Sequence, residues 1–65
     1  MKHIQRITNI DKVTFALILE EGKARITEIG FHVTLTRMQI RQALTQLMAQ
    51  GSVIYEASTH QYTLL

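Results

Sequence analysis

In the middle of the chain, apolar residues recur at intervals that suit two consecutive helices. Ile29 and Val33 lie four residues apart, as on one face of a short helix. After Thr36, a residue type that often begins helices, the apolar residues continue at helical spacing: Ile40, Ala43, Leu44, Leu47 and Met48. Gly51 then stands where a helix commonly ends. The intervals predict a short helix and a longer one, from about Thr36 to Gln50, whose apolar faces share one core.

The upstream part of the chain predicts another helix, from about Asn9 to Glu21. Thr8 and Asn9 are both candidates for its N-cap, and Gly22 supplies the left-handed residue that commonly ends a helix. Its apolar residues predict a wide face toward the core: Ile10, Val13, Phe15, Ala16, Leu17, Ile18 and Leu19.

The short helix is predicted from Thr27, or slightly earlier, to Val33, with Thr34 and Leu35 as the turn that follows. Gly30 is awkward inside it, because a glycine within a helix costs about 1 kcal/mol relative to alanine. Either another helix crosses closely at this position, where a missing Cβ leaves room, or the helix is locally weak. The sequence leaves both explanations open.

A β-hairpin is predicted after the long helix. Residues 53–56 follow the alternation of a strand, residues 58–60 form a polar turn, and Tyr62 and Leu64 resume the alternation. A short edge strand near residues 24–26 is a further candidate to pair with the hairpin. The predicted fold class is α+β, with three helices followed by a short C-terminal β-hairpin.

Length and composition narrow the function classes. Sixty-five residues form one small domain with a thin core, and we assign residues 1–8 to a basic lead-in and residues 9–65 to the domain. The absence of cysteine excludes disulfides and thiolate zinc sites, and it is compatible with a cytoplasmic location. The three histidines lack the spacing of metal ligands, so we expect no metal and no other cofactor.

Neither a membrane segment nor an enzyme is expected. The longest apolar run, Val13 to Leu19, is shorter than the roughly 20 residues needed to cross a bilayer, and charged residues follow it directly. The chain has no glycine-rich phosphate loop and no nucleophile motif. Ser58 and His60 are interpreted as turn residues, so no small-molecule substrate is expected.

The charges are unevenly distributed, although the net charge is only +2. No aspartate or glutamate lies between Ile29 and Tyr55, whereas Arg37 and Arg41 both fall inside this stretch. A polyanion that approached the long helix would meet no carboxylate there.

The polar side of the long helix is the candidate DNA-contacting surface. At 100° per residue, its outer positions lie opposite the apolar face, and a recognition helix offers its N-terminal half to base edges. Glutamine can pair with adenine, arginine with guanine, and methionine or threonine can touch the thymine methyl. We therefore expect base contacts from Gln39, Arg41 and Gln42, thymine contacts from Met38 and Thr45, and phosphate contacts from Arg37 and Thr36.

The segment from Thr27 to Val53 resembles the winged helix-turn-helix of bacterial transcription regulators. The likeness rests on a small residue at Gly30, a capping hydroxyl at Thr36, a glycine at Gly51 and a set of apolar positions: Ile29, Val33, Leu35, Ile40, Leu44, Leu47 and Val53. Among these regulators the chain is most similar to the small proteins of fimbrial operons, through the residues around 25–29 and a Q-x-R in the long helix.

The resemblance covers about residues 22–64 and implies a sequence-specific regulator of transcription. Such a protein would read the major groove of double-stranded DNA with helix 36–50. The loop of its hairpin, the wing, departs from the family because it holds no lysine or arginine and follows Glu56. Few phosphate contacts imply weak binding by one copy, so we expect a homodimer or a larger DNA-bound co-regulator as partner.

The alternative function is a winged-helix module that binds protein and not DNA, since fold does not fix function. Its contact surface would be apolar and would be built near the C-terminus by Ile54, Tyr55, Tyr62, Leu64 and Leu65.

Overall fold

The structure, a computed structural model, describes residues 7–65; the basic lead-in predicted for residues 1–8 therefore lies outside the described residues except for its last two. The described chain forms three helices and three strands in the order α1 (Asn9–Leu19), β1 (Lys23–Ala24), α2 (Ile26–Gly30), α3 (Arg37–Ala49), β2 (Val53–Glu56) and β3 (Gln61–Leu64). The predicted α+β class with three helices is confirmed. Among the helices within residues 7–65, none is long and apolar enough to cross a membrane.

The strands form one antiparallel sheet in the order β1-β3-β2. The predicted hairpin is present as β2 and β3, with Tyr55 opposite Tyr62. The hairpin alone is an incomplete description, because β1 pairs with the free edge of β3 and places Ala24 opposite Tyr62. The backbone N–H of Leu64 also donates to the carbonyl of Gly22 at 2.7 Å. The pairing of β1 with β3 therefore joins the C-terminal strand to the segment that follows α1.

Helix α1 begins as predicted and ends two residues early. The hydroxyl of Thr8 accepts from the backbone N–H of Asp11 at 3.1 Å, and the Asp11 carboxylate accepts from the backbone N–H of Thr8 at 3.3 Å. The early end arises because Glu21, and not only Gly22, adopts a positive φ, of 63°. The backbone N–H of Gly22 then bonds to the carbonyl of Leu17 at 2.7 Å, as in a Schellman motif.

Helix α2 is shorter than predicted at its C-terminal end and begins one residue earlier than Thr27. It spans five residues, so Gly30 is its last position and not an interior one. A Cβ built on Gly30 would lie 3.9 Å from the Cδ1 of Ile40, an ordinary contact. The close-crossing explanation for this glycine is therefore wrong, whereas a locally weak helix agrees with the short length of α2.

The core forms between one side of α1, helix α2, one side of α3 and the inner face of the sheet. Its buried residues are Val13, Ala16, Leu17, Ala24, Ile26, Ile29, Ile40, Ala43, Leu44, Leu47, Val53 and Tyr62. The wide apolar face predicted for α1 is wrong in part, because Phe15, Ile18 and Leu19 are exposed. At 100° per residue Phe15 points away from Val13 and Leu17, and a small domain covers only one side of a helix.

Replacement of Glu21 by glycine is expected to raise the free energy of unfolding by about 1 kcal/mol, because a left-handed backbone strains residues that carry a Cβ. Urea unfolding of dilute protein measures the change. The matched variant Gly22→Ala introduces a Cβ at a φ of 90° and should destabilise the domain by a similar amount. An equal or lower stability of Glu21→Gly would contradict the strain at this position.

Replacement of Gly30 by alanine is expected to be neutral or to stabilise the domain by up to about 1 kcal/mol, because alanine favours the helix and its Cβ fits against Ile40. Thermal unfolding followed by circular dichroism measures the shift. A loss of stability beyond about 1 kcal/mol would mean that the backbone at this point approaches α3 more closely than the structure has it.

Candidate nucleic-acid interface

Helix α3 presents the predicted contact residues on its solvent side. Its inward side is buried through Ile40, Ala43, Leu44 and Leu47. All seven predicted contact residues are exposed: Thr36, Arg37, Met38, Gln39, Arg41, Gln42 and Thr45. Met38, at the centre of the outer side, is 69% exposed. The side of α3 that could enter a groove is therefore uncovered within the described residues.

Two of the predicted contact residues are engaged at the start of the helix. The Thr36 hydroxyl accepts from the backbone N–H of Gln39 at 3.1 Å, and the Gln39 side-chain oxygen accepts from the backbone N–H of Thr36 at 2.9 Å. This reciprocal capping box fixes where α3 begins. Gln39 keeps only its amide N–H groups for a ligand while it caps the helix, whereas the Thr36 hydroxyl proton stays available.

Thr45 is also bonded within the helix. Its hydroxyl donates to the backbone carbonyl of Arg41 at 2.9 Å, a bond that serine and threonine often make inside helices. The hydroxyl proton is therefore used, and the side chain offers an outside partner its methyl group and its oxygen lone pairs. A methyl group suits the contact with thymine that the sequence predicts.

An open cleft beside the N-terminal half of α3 gathers three arginines. We call it the arginine cleft; its lining residues are Arg25, Ile26, Thr27, Arg37, Arg41, Tyr55, His60 and Tyr62. Arg37 and Arg41 are four residues apart and share one side of α3, and Arg25 comes from the start of α2. Converging guanidinium groups in an open cleft are suited to bind phosphate oxygens.

Arg25 links α2 to the loop of the hairpin. Its Nε donates to the backbone carbonyl of Thr59 at 3.1 Å. Its guanidinium also lies 3.9 Å from the Glu28 carboxylate, and this carboxylate accepts from the backbone N–H of Arg25 at 2.7 Å. The guanidinium is thus held between the Thr59 carbonyl and the Glu28 carboxylate, while about half of the side chain stays exposed. These contacts fix a positive charge next to a loop that contains no lysine or arginine.

The loop of the hairpin contributes a histidine to the same cleft. His60 adopts a left-handed backbone with a φ of 58°, and its Nδ1 lies 3.0 Å from the hydroxyl oxygen of Tyr55. The Tyr55 ring packs against Tyr62, with 4.8 Å between the ring centroids. Because Tyr62 is part of the core, this chain of contacts fixes the position of the imidazole relative to α3.

The charges around the cleft favour an anion. Within residues 7–65, neither Arg37 nor Arg41 is in an ion pair. Arg25 is paired with Glu28, but among the described residues no carboxylate lines the cleft itself. Glu56, the acid that precedes the loop of the hairpin, lies 3.5 Å from the ammonium group of Lys23, so its charge is partly compensated from β1.

The opposite flank of α3 is mostly polar, and its lining residues within the described part of the chain carry no charge. A shallow groove there is lined by residues of α3 and of the start of α1: Thr8, Asn9, Ile10, Gln39, Gln42, Ala43 and Gln46. The two flanks of the helix therefore differ, since the arginine cleft is cationic and this groove offers mostly amide and hydroxyl groups.

Sequence reasoning missed Arg25, Tyr55 and His60 as members of this surface. Arg25 and Thr59 are 34 residues apart in the chain, so no local pattern connects them. The one available signal was an arginine at the start of a helix that precedes the predicted recognition helix. Among residues 7–65, no group of three or more histidine, aspartate or glutamate side chains comes together in a way that could hold a metal ion.

Comparison with protein-family models, with curated proteins and with solved structures gave no match for this chain.

Replacement of Arg25 by alanine is expected to loosen the loop of the hairpin and leave the helices intact, because the bond to the Thr59 carbonyl is lost. Hydrogen exchange followed by NMR should show faster exchange at the amides of residues 56–62, with unchanged protection in α3. Lys12→Ala, which removes an exposed cation outside the cleft, is the matched control. Unchanged exchange in the loop would mean that this bond does not hold it.

Proposed function

We propose that this chain is a sequence-specific DNA-binding regulator of transcription with a winged helix-turn-helix fold, in which α3 enters the major groove of double-stranded DNA. The observation that carries the proposal is the exposed N-terminal half of α3 with three arginines gathered beside it. A major groove about 12 Å wide admits one helix, and the phosphates of the backbone then lie along its flanks. The arginine cleft lies on such a flank.

Base recognition falls to the outer side of α3 in this proposal. The exposed side chains of Arg41 and Gln42 have donors without a partner among the described residues, and they reach guanine and adenine, respectively. Met38 and the methyl group of Thr45 contact thymine. Gln39 contributes through its amide N–H groups while its oxygen caps the helix. This division of roles rests on exposure and on the hydrogen bonds within α3.

Phosphate binding falls to Arg37, to the Thr36 hydroxyl and to the wing side of the arginine cleft. The wing has no lysine or arginine of its own, but Arg25 is held against its Thr59 carbonyl and His60 faces the same cleft. The wing therefore takes part in DNA binding in this proposal, which differs from what the loop sequence alone suggests. Phosphate contacts of this kind position the protein, while base contacts select the sequence.

One copy would bind DNA weakly, because only a few cations face the duplex and each contributes through the counterions that it releases. The proposal therefore includes either a homodimer or a larger DNA-bound co-regulator. A cytoplasmic location follows from the same proposal, since the target is bacterial DNA.

The alternative function, a protein-binding module near the C-terminus, is less well supported. Tyr62 belongs to the core and Leu64 is half-buried, so two of the five predicted contact residues are withdrawn from the surface. The three that stay exposed are Ile54, Tyr55 and Leu65, and Tyr55 is engaged with His60.

Selection of bound fragments from a random DNA pool, at moderate salt, tests DNA binding directly. We expect one enriched sequence motif. Arg41→Ala should then weaken binding to the selected site by about 1–3 kcal/mol and relax the preference at one position. Lys23→Ala removes the same charge from β1, outside the cleft, and should leave the preference unchanged. A pool without enrichment would contradict the proposal, and so would an equal loss of sequence preference in Arg41→Ala and Lys23→Ala.

Arg37→Ala distinguishes a phosphate contact from a base contact. It should weaken binding to every sequence by a similar factor and reduce the slope of log K against log salt concentration by about 1. Titrations of the selected site and of a scrambled site, at several salt concentrations, measure both quantities. A loss confined to the selected site would instead assign Arg37 to base recognition.

A further inference from the structure

The solvent side of α1 carries three large apolar side chains. Phe15, Ile18 and Leu19 are 61%, 54% and 51% exposed. They follow the i, i+3, i+4 spacing that places side chains on one helical face. We call them the α1 triad. Scattered apolar residues at a surface are normal, whereas a contiguous apolar patch marks an interaction surface.

The α1 triad faces away from the core. Val13, Ala16 and Leu17 form the buried side of α1 and pack toward α3 and the sheet. At 100° per residue, Phe15 lies almost opposite Val13 and Leu17. A partner on the triad would leave the arginine cleft uncovered, because the cleft contains no residue of α1.

A groove adjoins the α1 triad on the side of the segment after α2. Phe15, Ile7 and Val33 supply its apolar walls, and polar residues form its rim: Asp11, Lys12, His32 and Thr34. The bond between His32 Nε2 and Glu20 Oε2, 2.7 Å long, ties the segment after α2 to the end of α1. The same face thus offers a projecting phenyl ring and a depression beside it.

We propose that the α1 triad binds a second copy of this chain, with the two α1 helices antiparallel about a two-fold axis. A two-fold interface uses one surface twice, so this surface must complement itself. The α1 triad meets that condition, because an axis between Phe15 and Ile18 places the phenyl ring of each copy against Ile18 of the other.

The charges next to the α1 triad select the antiparallel arrangement. Lys12 lies three residues before Phe15, and Glu21 lies three residues after Ile18. A two-fold axis that passes between Phe15 and Ile18 therefore brings Lys12 of each copy toward Glu21 of the other. A parallel arrangement would bring Lys12 toward the same lysine.

Both charged residues are available for that contact. Lys12 and Glu21 are exposed, and within residues 7–65 neither is in an ion pair. Glu20, the neighbouring acid, is already bonded to His32. The pair Lys12–Glu21 therefore gives the proposed interface its charge complementarity and its register.

The area of the α1 triad fits a weak, reversible dimer. An aromatic side chain can bury about 150–250 Å², so three large side chains that are half exposed offer roughly 300 Å² per copy. Two copies then bury roughly 600 Å², and the flanking side chains of Lys12 and Glu21 add to this area, which stays below the roughly 1,200 Å² of a stable complex and is in the range of a transient one. Because buried area alone does not set affinity, the expected behaviour is a dimer that dissociates on dilution.

The dimer requires no DNA, so its test is independent of the proposed function. Sedimentation velocity of the full chain without DNA, over a series of concentrations, should show a reversible monomer–dimer equilibrium. Phe15→Glu should weaken the dimer at least tenfold, because it places a carboxylate in the apolar contact. Met38→Glu is the matched control, since it replaces an equally exposed apolar residue on α3, and it should leave the dimer unchanged.

A charge exchange tests the antiparallel register. Lys12→Glu and Glu21→Lys should each weaken the dimer several-fold, and the double variant should restore it. Circular dichroism of each variant reports whether the monomer stays folded. Restoration in the double variant supports the proposal, and a double variant as weak as the single ones overturns the antiparallel register.

Three further outcomes would overturn the inference. A chain that stays monomeric at the highest soluble concentration would exclude the second copy and leave the α1 triad to a different protein. Equal effects of Phe15→Glu and Met38→Glu would exclude α1 as the interface. A sedimentation coefficient that rises beyond that of a dimer as concentration increases would indicate open-ended aggregation, and not a closed two-fold dimer.

Discussion

The packing of α1 against α3 is the contact on which the rest of this small domain depends. Val13 and Leu17 from α1 meet Ile40 and Leu44 from α3 in a core of twelve buried residues. Each such side chain contributes about 1.5–3 kcal/mol when it is buried, and a domain of this size has few of them. The core fixes which side of α3 faces inward, and the polar side is exposed as a consequence.

A second constraint joins the loop of the hairpin to the start of α2. The loop lacks cations, yet the guanidinium of Arg25 lies against its Thr59 carbonyl, and His60 is placed by Tyr55 and by the core residue Tyr62. Basic groups from α2 and α3 therefore meet the loop in one cleft, although they are distant in the sequence. In the proposed function, this convergence provides the phosphate contacts that the loop sequence does not supply.

Helix α1 has apolar residues on two sides, but a domain of this size can bury only one of them. One side forms the core, while Phe15, Ile18 and Leu19 stay in water on the other. Exposure of apolar surface to water is unfavourable, and binding of a second copy would remove part of this surface from water. The arginine cleft contains no residue of α1, so the proposed dimer does not cover the proposed phosphate contacts.

The sequence by itself determined the class and order of the elements and the buried side of α3, because apolar periodicity and capping residues such as Thr8 and Thr36 are local signals. It also determined that the predicted contact residues on the polar side of α3, from Thr36 to Thr45, face solvent. Only the tertiary structure decided that α1 buries one side, that β1 completes the sheet, that α1 ends at Leu19, and that Arg25 and His60 lie beside α3. The physical reason is that these features depend on contacts between residues far apart in the chain, or on backbone angles such as that of Glu21, which residue type alone does not specify.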